Sequence, residues 1–123
     1  MRLRPRIEAA IELDKRVTPA RRDLAALQPV MFNWSRTVRE VVGLPLSTLA
    51  QRLNISKQAA SKLELNEQRG AISLASLEAI AEALDCDLVY GFIPRKSFTE
   101  AAQRLQAQQD VARKSKRKIR APE

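Results

Sequence analysis

The sequence predicts an all-α fold built around two short helices joined by a tight turn, which lie between residues 44 and 64. Apolar residues recur there at intervals of three and four, a spacing typical of one face of a helix. Leu, Ala and Arg dominate the composition and aromatic residues make up only 4% of it, which favours helices over strands. The length of 123 residues suits one domain with arms rather than two domains.

The two apolar runs and the break between them predict a helix-turn-helix. The inward face of the first helix comprises Leu46, Leu49, Ala50 and Leu53. Asn54 can adopt the left-handed conformation that ends a helix, and Ser56 can cap the next helix by accepting a hydrogen bond from a free backbone N–H. The second helix turns Ala60 and Leu63 inward.

The outward side of the second helix carries polar residues suited to binding DNA. The candidates for contacts with bases are Lys57, Gln58, Ser61 and Lys62. A glutamine can form two hydrogen bonds with adenine, and a lysine can donate to guanine or to a phosphate. The candidates for phosphate contacts are Ser47, Thr48, Ser56, Asn66, Gln68 and Arg69. An ordinary helical hairpin with a solvated polar side is the alternative, and the pattern alone does not separate the two.

Particular residues make this segment resemble a known family. The run SKQAASKLE from Ser56 to Glu64 is similar to the recognition helix of phage-repressor-like (Xre-type) helix-turn-helix proteins. The runs Leu49-Ala50-x-x-Leu53 and Leu74 to Leu84 are similar to two other helices of that family, with Ala50 at the close contact between the paired helices. The resemblance covers roughly residues 32 to 93 and implies a lambda-repressor-like domain. It also implies that a polar loop over residues 65–72 lies along the DNA backbone.

A closer resemblance is to the mobile mystery protein A family. It rests on Trp34, Arg39-Glu40, Leu63-Glu64, AISLASL at 71–77, CDLVY at 86–90 and Ile93-Pro94-Arg95. Members of that family are helix-turn-helix proteins of mobile elements and are usually encoded beside a Fic-domain protein. The resemblance therefore implies a transcriptional regulator and leaves open an antitoxin role. The chain departs from the family pattern at Pro45, where most relatives have a capping Ser or Thr, and at Leu46, where many have Gln.

Three regions are predicted: a helical N-terminal arm (1–31), the helix-turn-helix domain (32–94), and an amphipathic helix with a basic tail (95–123). In the first arm, helices over 2–16 and 20–27 are separated at Thr18-Pro19, where threonine can cap and proline can open the second helix. The last part of the tail, residues 113–120, contains six Lys and Arg and is predicted to be disordered when free.

The net charge of +8 lies in the flanks. Residues 1–29 carry seven basic and four acidic side chains, a net +3, and residues 95–123 carry nine and three, a net +6. Residues 30–94 carry six and seven, a net −1. This distribution fits a domain that recognises DNA through a few placed side chains and gains general phosphate affinity from its arms. A basic tail that serves only solubility or promiscuous binding is the alternative.

The first core helix is predicted over Asn33 to Val42, with Gly43 ending it at a positive φ. Its inward residues are predicted to be Trp34, Val38, Val41 and Val42, and its outward residues Ser35, Arg36, Arg39 and Glu40. Packing in the core is the favoured role for the tryptophan over stacking on bases. Arg39 and Glu64 are predicted to form an internal ion pair.

The period changes to two between Asp87 and Ile93, which predicts one short C-terminal β-strand. A single strand in a helical chain has no partner, so we expect it to pair with the same strand of a second copy. The residues predicted to hold this homodimer are Leu88, Tyr90 and Phe92. Cys86 is predicted to be a small buried residue.

The function predicted from the sequence is that of a dimeric, sequence-specific DNA-binding regulator, with double-stranded DNA as its partner. The alternative is an antitoxin that mainly binds a neighbouring Fic-type protein. Three glycines and no histidine provide no phosphate loop or catalytic base, so we predict no catalytic residues, no metal site and no cofactor. The sequence contains no apolar run long enough for a membrane span or a secretory signal, so we predict a cytoplasmic protein. The predicted DNA binding places it at the nucleoid.

Overall fold

The structure is a computed structural model that describes residues 4–120, with side chains described for residues 4–114. It contains α1 (Ile7–Leu27), a 3₁₀ helix (Gln28–Val30), α2 (Trp34–Val41), α3 (Leu46–Leu53), α4 (Lys57–Gln68), α5 (Leu74–Ala83) and α6 (Phe98–Arg120). Residues 26–91 form one compact unit, here called the helix-turn-helix unit. The described parts of residues 1–25 and 92–123 form a second one, here called the helix-pair unit. None of the described helices is long and apolar enough to cross a membrane.

The core of the helix-turn-helix unit forms where α3 packs against α4 and α5. Leu49 and Ile80 are fully buried at its centre, and Leu84 is buried beside them. Removing a leucine-sized side chain from water contributes about 1.5–3 kcal/mol, so these residues supply much of the unit's stability. Ala50 and Ala60 are buried between α3 and α4, which are close because neither side chain extends beyond Cβ.

The turn between α3 and α4 has the predicted geometry. Asn54 ends α3 in the left-handed region, with φ 57° and ψ 42°. The Ser56 hydroxyl accepts the Ala59 N–H at 3.0 Å and caps α4. Gly43, with φ +74°, likewise follows α2 as predicted. Local sequence signals therefore determine this part of the backbone.

The side of α2 that faces the core differs from the prediction. Ser35 is buried, whereas Val41 is 80% exposed, and Trp34 and Val42 are also exposed. The reason lies on α4, where Glu67 accepts hydrogen bonds from the N–H groups at the start of α2 and Glu64 binds Arg39. These contacts turn the line of Ser35, Val38 and Arg39 inward. The predicted orientation was therefore wrong for Trp34, Val41, Val42, Ser35 and Arg39.

The second helix of the motif is longer than predicted, because α4 continues to Gln68 and replaces the start of the expected polar loop. Glu64 and Glu67 follow Ala60 by four and seven residues, so all three lie on the same side of the helix. Both glutamates are buried with hydrogen-bond partners. The charged and polar residues after Glu64 suggested a solvated loop. In the structure, hydrogen-bond partners on α2 allow the carboxylates of Glu64 and Glu67 to be buried.

The predicted β-strand is absent from the part of the chain that the structure describes. Residues 87–93 are irregular and form no backbone hydrogen bond within that part. A strand needs a neighbour to complete its ladder, and none of the described segments pairs with it. Tyr90 and Phe92 are 70% and 85% exposed. The expected burial of Cys86 was also wrong, because this residue is exposed.

Both terminal arms are more continuous than predicted. Helix α1 passes through Pro19, and the Thr18 hydroxyl donates to the Asp14 carbonyl at 2.6 Å instead of capping a second helix. Pro19 removes one backbone hydrogen bond without ending the helix. Helix α6 extends to Arg120, so the expected disorder of residues 113–120 was wrong. The first two residues of the helix predicted over 2–16 lie outside the described residues.

Polar contacts join α1 to the start of α6 in the helix-pair unit. Asp14 on α1 accepts hydrogen bonds from the N–H of Phe98 at 2.6 Å and of Thr99 at 3.2 Å, at the start of α6. Arg21, which lies two turns after Asp14 on α1, donates to the carbonyl of Pro94, which precedes α6. A later part of α1 therefore meets an earlier part of the chain around α6, so the two helices run antiparallel. None of the described side chains of this unit is buried.

Candidate nucleic-acid interface

One side of α4 brings the predicted base-contacting residues together in solvent. Ala60, Glu64 and Glu67 mark the buried side of this helix. The exposed residues of α4 and the one that follows it, here called the recognition face, are Lys57, Gln58, Ser61, Lys62, Leu65, Gln68 and Arg69. Most of them lie away from the buried side, and Lys57 is exposed at the first position of the helix. All four candidates for contacts with bases lie on it. Leu65 was missed by the sequence analysis because the helix was expected to end before it.

A buried ion pair fixes the middle of α4 to α2. The guanidinium of Arg39 donates twice to the carboxylate of Glu64, from Nε to Oε2 at 2.7 Å and from Nη2 to Oε1 at 3.2 Å. These side chains are only 13% and 8% exposed, respectively. The hydrogen bond with Glu64 raises the pKa of Arg39, against the opposing effect of burial. The predicted internal pair is confirmed, and its two-point geometry limits rotation of α4.

A second carboxylate fixes the last turn of α4. The two oxygens of Glu67 accept hydrogen bonds from the backbone N–H groups of Trp34 at 2.7 Å and Ser35 at 2.9 Å. The start of a helix has unpaired N–H groups and a partial positive charge, both of which a carboxylate satisfies. The sequence signal for this contact was the seven-residue spacing from Ala60 to Glu67.

Three of the predicted phosphate contacts are accessible around this motif. Ser47 is exposed near the start of α3, and Arg69 is exposed directly after α4. Ser56 is exposed at the start of α4, where its hydroxyl oxygen is already bonded to the Ala59 N–H. That hydroxyl keeps its own proton, which can be donated to a phosphate oxygen.

The other three predicted phosphate contacts are more constrained. Thr48 and Asn66 are half-buried, and Asn66 lies on the flank of α4 rather than on the recognition face. The side-chain nitrogen of Gln68 donates to the side-chain oxygen of Asn33 at 3.2 Å. Leu46, at the position where many relatives carry Gln, packs against the core instead of facing solvent.

Two of the residues predicted to hold a dimer line an apolar groove in the helix-turn-helix unit. Leu88 is half-buried and Tyr90 is mostly exposed at the edge of this groove, whose volume is about 330 Å³. The other walls come from α2 and α5, including Trp34, Val38 and Leu77. Phe92 is exposed in the helix-pair unit.

The comparisons with known proteins agree with this geometry. Residues 36–90, a little under half of the chain, match the family model described as Helix-turn-helix. The matched segment contains the turn, the caps and the recognition face described above. It supports, at a coarse level, the predicted Xre-like helix-turn-helix and a DNA-binding regulator of that type. No curated protein and no solved structure matches the chain.

Proposed function

We propose that this protein is a sequence-specific transcriptional repressor that binds double-stranded DNA as a dimer, in the cytoplasm at the nucleoid and without catalytic activity. The observation that carries the proposal is the recognition face of α4, which exposes Lys57, Gln58, Ser61 and Lys62 together. The opposite side of the same helix is buried and held by two carboxylates, so the exposed side chains have a fixed platform.

In this proposal α4 lies in the major groove with its outward side at the base edges. The Gln58 amide both accepts and donates, which matches the paired groups of adenine. Lys57 and Lys62 donate to guanine or to phosphates, and Ser56 donates to the backbone beside the start of the helix. Contacts with bases need accurate placement, which the Arg39–Glu64 pair supplies.

The test is selection of bound sites from a random DNA pool, followed by affinity measurements on the selected site and on unrelated DNA. Gln58→Ala should weaken binding to the selected site by about 1–3 kcal/mol and relax the preference at one base position. Gln103→Ala, at an exposed glutamine of α6, is the matched control and should preserve the preference. Equal weakening of Gln58→Ala on both DNAs would show that this residue does not recognise a base.

A dimer follows from the short reach of one recognition helix. Two helices related by a two-fold axis contact half-sites about 34–36 Å apart and double the sequence that is recognised. The exposed apolar side chains of Val89 and Tyr90, beside the groove that Leu88 lines, support an interface between copies at this end of the unit. Phe92, two residues further along, is also exposed.

Sedimentation at micromolar concentration tests the dimer. Tyr90→Glu should shift the protein towards monomer because a charge would be buried in an apolar contact, whereas Tyr90→Phe should remain dimeric. A monomeric wild type, or a fully dimeric Tyr90→Glu, would refute the interface. The selected DNA site should also be an inverted repeat, and a single asymmetric site would count against a two-fold dimer.

The basic end of α6 should add affinity without sequence preference. Deleting residues 113–120 should weaken binding to all DNA alike, because Lys and Arg there would contact phosphates only. The slope of log affinity against log salt concentration should become shallower by up to about 0.9 for each lost contact. An unchanged slope would show that this end of the helix does not contact DNA, and the protein-binding role would gain support.

A second candidate function is that of an antitoxin that binds a protein. One observation favours it: the helix-pair unit has no buried residue in its described part and exposes Ile7 and Ile11 on one side of α1. Such a surface suits a protein partner that would cover it. The resemblance to the mobile mystery protein A family suggests a Fic-domain protein encoded nearby. Co-purification with such a neighbour, lost in the Ile11→Glu variant, would support this function.

A further inference from the structure

An exposed leucine lies in the middle of the otherwise polar recognition face. Leu65 is 41% exposed and follows Gln58 by seven residues and Ser61 by four, which places the three on one side of α4. Gln68 and Arg69 follow it on the same side. Leu65 is the apolar member of this set, and polar side chains surround it.

Leu65 lies outside the core cluster of the helix-turn-helix unit. The core cluster formed by Leu49, Ile80 and Leu84, and the apolar residues packed against it, do not include Leu65. Single exposed leucines are common on protein surfaces, so exposure by itself carries no argument. The argument comes from location, because Leu65 lies one turn after Ser61 on the same side of α4, next to the residues proposed to contact bases.

The chemistry of the major groove indicates the ligand of this leucine. Among the base edges exposed there, the C5-methyl group of thymine is the apolar one, and aliphatic side chains recognise it by contact. We propose that Leu65 is a specificity-determining residue that contacts a thymine methyl group. This inference rests on the proposed function and deepens it by assigning an A·T pair to a residue with no hydrogen-bonding group.

The helix geometry limits where that thymine lies. Seven residues of an α-helix span roughly 10 Å, and successive bases of a strand are about 3.4 Å apart. The thymine contacted by Leu65 should therefore lie within about three base pairs of the base that Gln58 contacts. A tilt of the helix relative to the groove shortens this separation.

The experiment replaces each thymine of the selected half-site in turn by deoxyuridine, which removes only the methyl group. At one position within three base pairs of the Gln58 contact, wild type should bind the uracil-containing site about fourfold more weakly, the value for one buried methyl group. Leu65→Ala should bind the thymine and uracil versions equally, because the side chain that covers the methyl group is gone. Leu65→Met, which keeps a long apolar side chain, should retain the difference.

Two controls separate failure of this inference from failure of the proposed function. Leu65→Ala should still unfold in one cooperative transition close to the wild-type temperature, since the side chain lies outside the core cluster. Gln58→Ala should still distinguish thymine from uracil at the base pair that Leu65 contacts, while it loses the preference at the base pair that Gln58 contacts. If Leu65→Ala keeps the wild-type difference, or no thymine shows one, the inference is wrong although Gln58→Ala still loses specificity. If Gln58→Ala also keeps the wild-type sequence preference, both the Leu65 inference and the proposed DNA-recognition function are wrong.

Discussion

Each of the two units of this protein contains a carboxylate that binds the first N–H groups of another helix. In the helix-turn-helix unit, Glu67 binds the start of α2 and is itself buried. In the helix-pair unit, Asp14 binds the start of α6, where no described side chain is buried. The same polar contact thus supplements an apolar core in one unit and largely replaces it in the other. Polar contacts position helices, and buried apolar surface supplies most of the stability.

The two units also differ in charge. Residues 26–91 contain six basic and seven acidic side chains, a net −1, whereas the rest of the sequence contains sixteen and seven, a net +9. The nearly neutral unit does not attract phosphates through its net charge, so its specificity has to come from individual side chains, as on the recognition face. The basic remainder attracts phosphates regardless of sequence. Because the buried residues lie in the helix-turn-helix unit, we expect substitutions there to change stability more than substitutions in the helix-pair unit.

The largest effect on stability is expected from Glu64→Ala. It leaves the buried guanidinium of Arg39 without its partner, which should cost about 3–5 kcal/mol. Urea unfolding followed by the fluorescence of Trp34, the single tryptophan, measures this unit. Glu40→Ala is the control, because it breaks the exposed Arg36–Glu40 pair of similar length, 2.9 Å, and should cost less than about 1 kcal/mol. Equal losses would mean that burial does not distinguish the two pairs.

An intermediate effect is expected from Glu67→Ala. It leaves two N–H groups at the start of α2 without acceptors, one of them on the buried Ser35, at a cost of about 1–3 kcal/mol. The same fluorescence measurement applies. Gln68→Ala removes only an exposed hydrogen bond to Asn33 and should change the unfolding midpoint little. A neutral Glu67→Ala would show that water replaces the carboxylate without loss.

The smallest effect is expected from protonation of Asp14. Partial burial raises the pKa of this group, but the hydrogen bonds from Phe98 and Thr99 lower it, and the net pKa is below its usual value. At a pH above the ordinary pKa of about 3.9, the ionised carboxylate stabilises the folded unit. This stabilisation is lost as the pH falls through the lower pKa of the folded state.

Amide hydrogen exchange measures this effect locally. Protection of the Phe98 and Thr99 amides should fall at acidic pH, where Asp14 is protonated. Asp14→Asn should show the same reduced protection at neutral pH. The Ser35 amide, bound by the buried Glu67, is the reference. Protection at Phe98 that is unchanged in Asp14→Asn would show that the carboxylate does not hold the start of α6.

Local signals were enough to predict the helix-turn-helix and most of its candidate site. Apolar spacing located α3, and the left-handed Asn54 and the capping Ser56 defined the turn. The outward polar residues from Lys57 to Lys62 followed from the same helical period. Each of these signals acts over a few residues, so the sequence alone contains the information needed.

Tertiary contacts decided what those signals left open. The length of α4 depends on the buried glutamates, and Glu67 finds its partners more than thirty residues earlier, at the start of α2. That contact also sets which side of α2 is buried, and the longer α4 places Leu65 on the recognition face. Residues 87–93 alternate like a strand, but a strand also requires a hydrogen-bonded neighbour, and no described segment provides it. The sequence by itself determined where α3 and α4 start and which residues of α4 face outward, because propensity, capping and periodicity are local. Only the tertiary structure decided where charges are buried and where helices end, because both depend on partners distant in the chain.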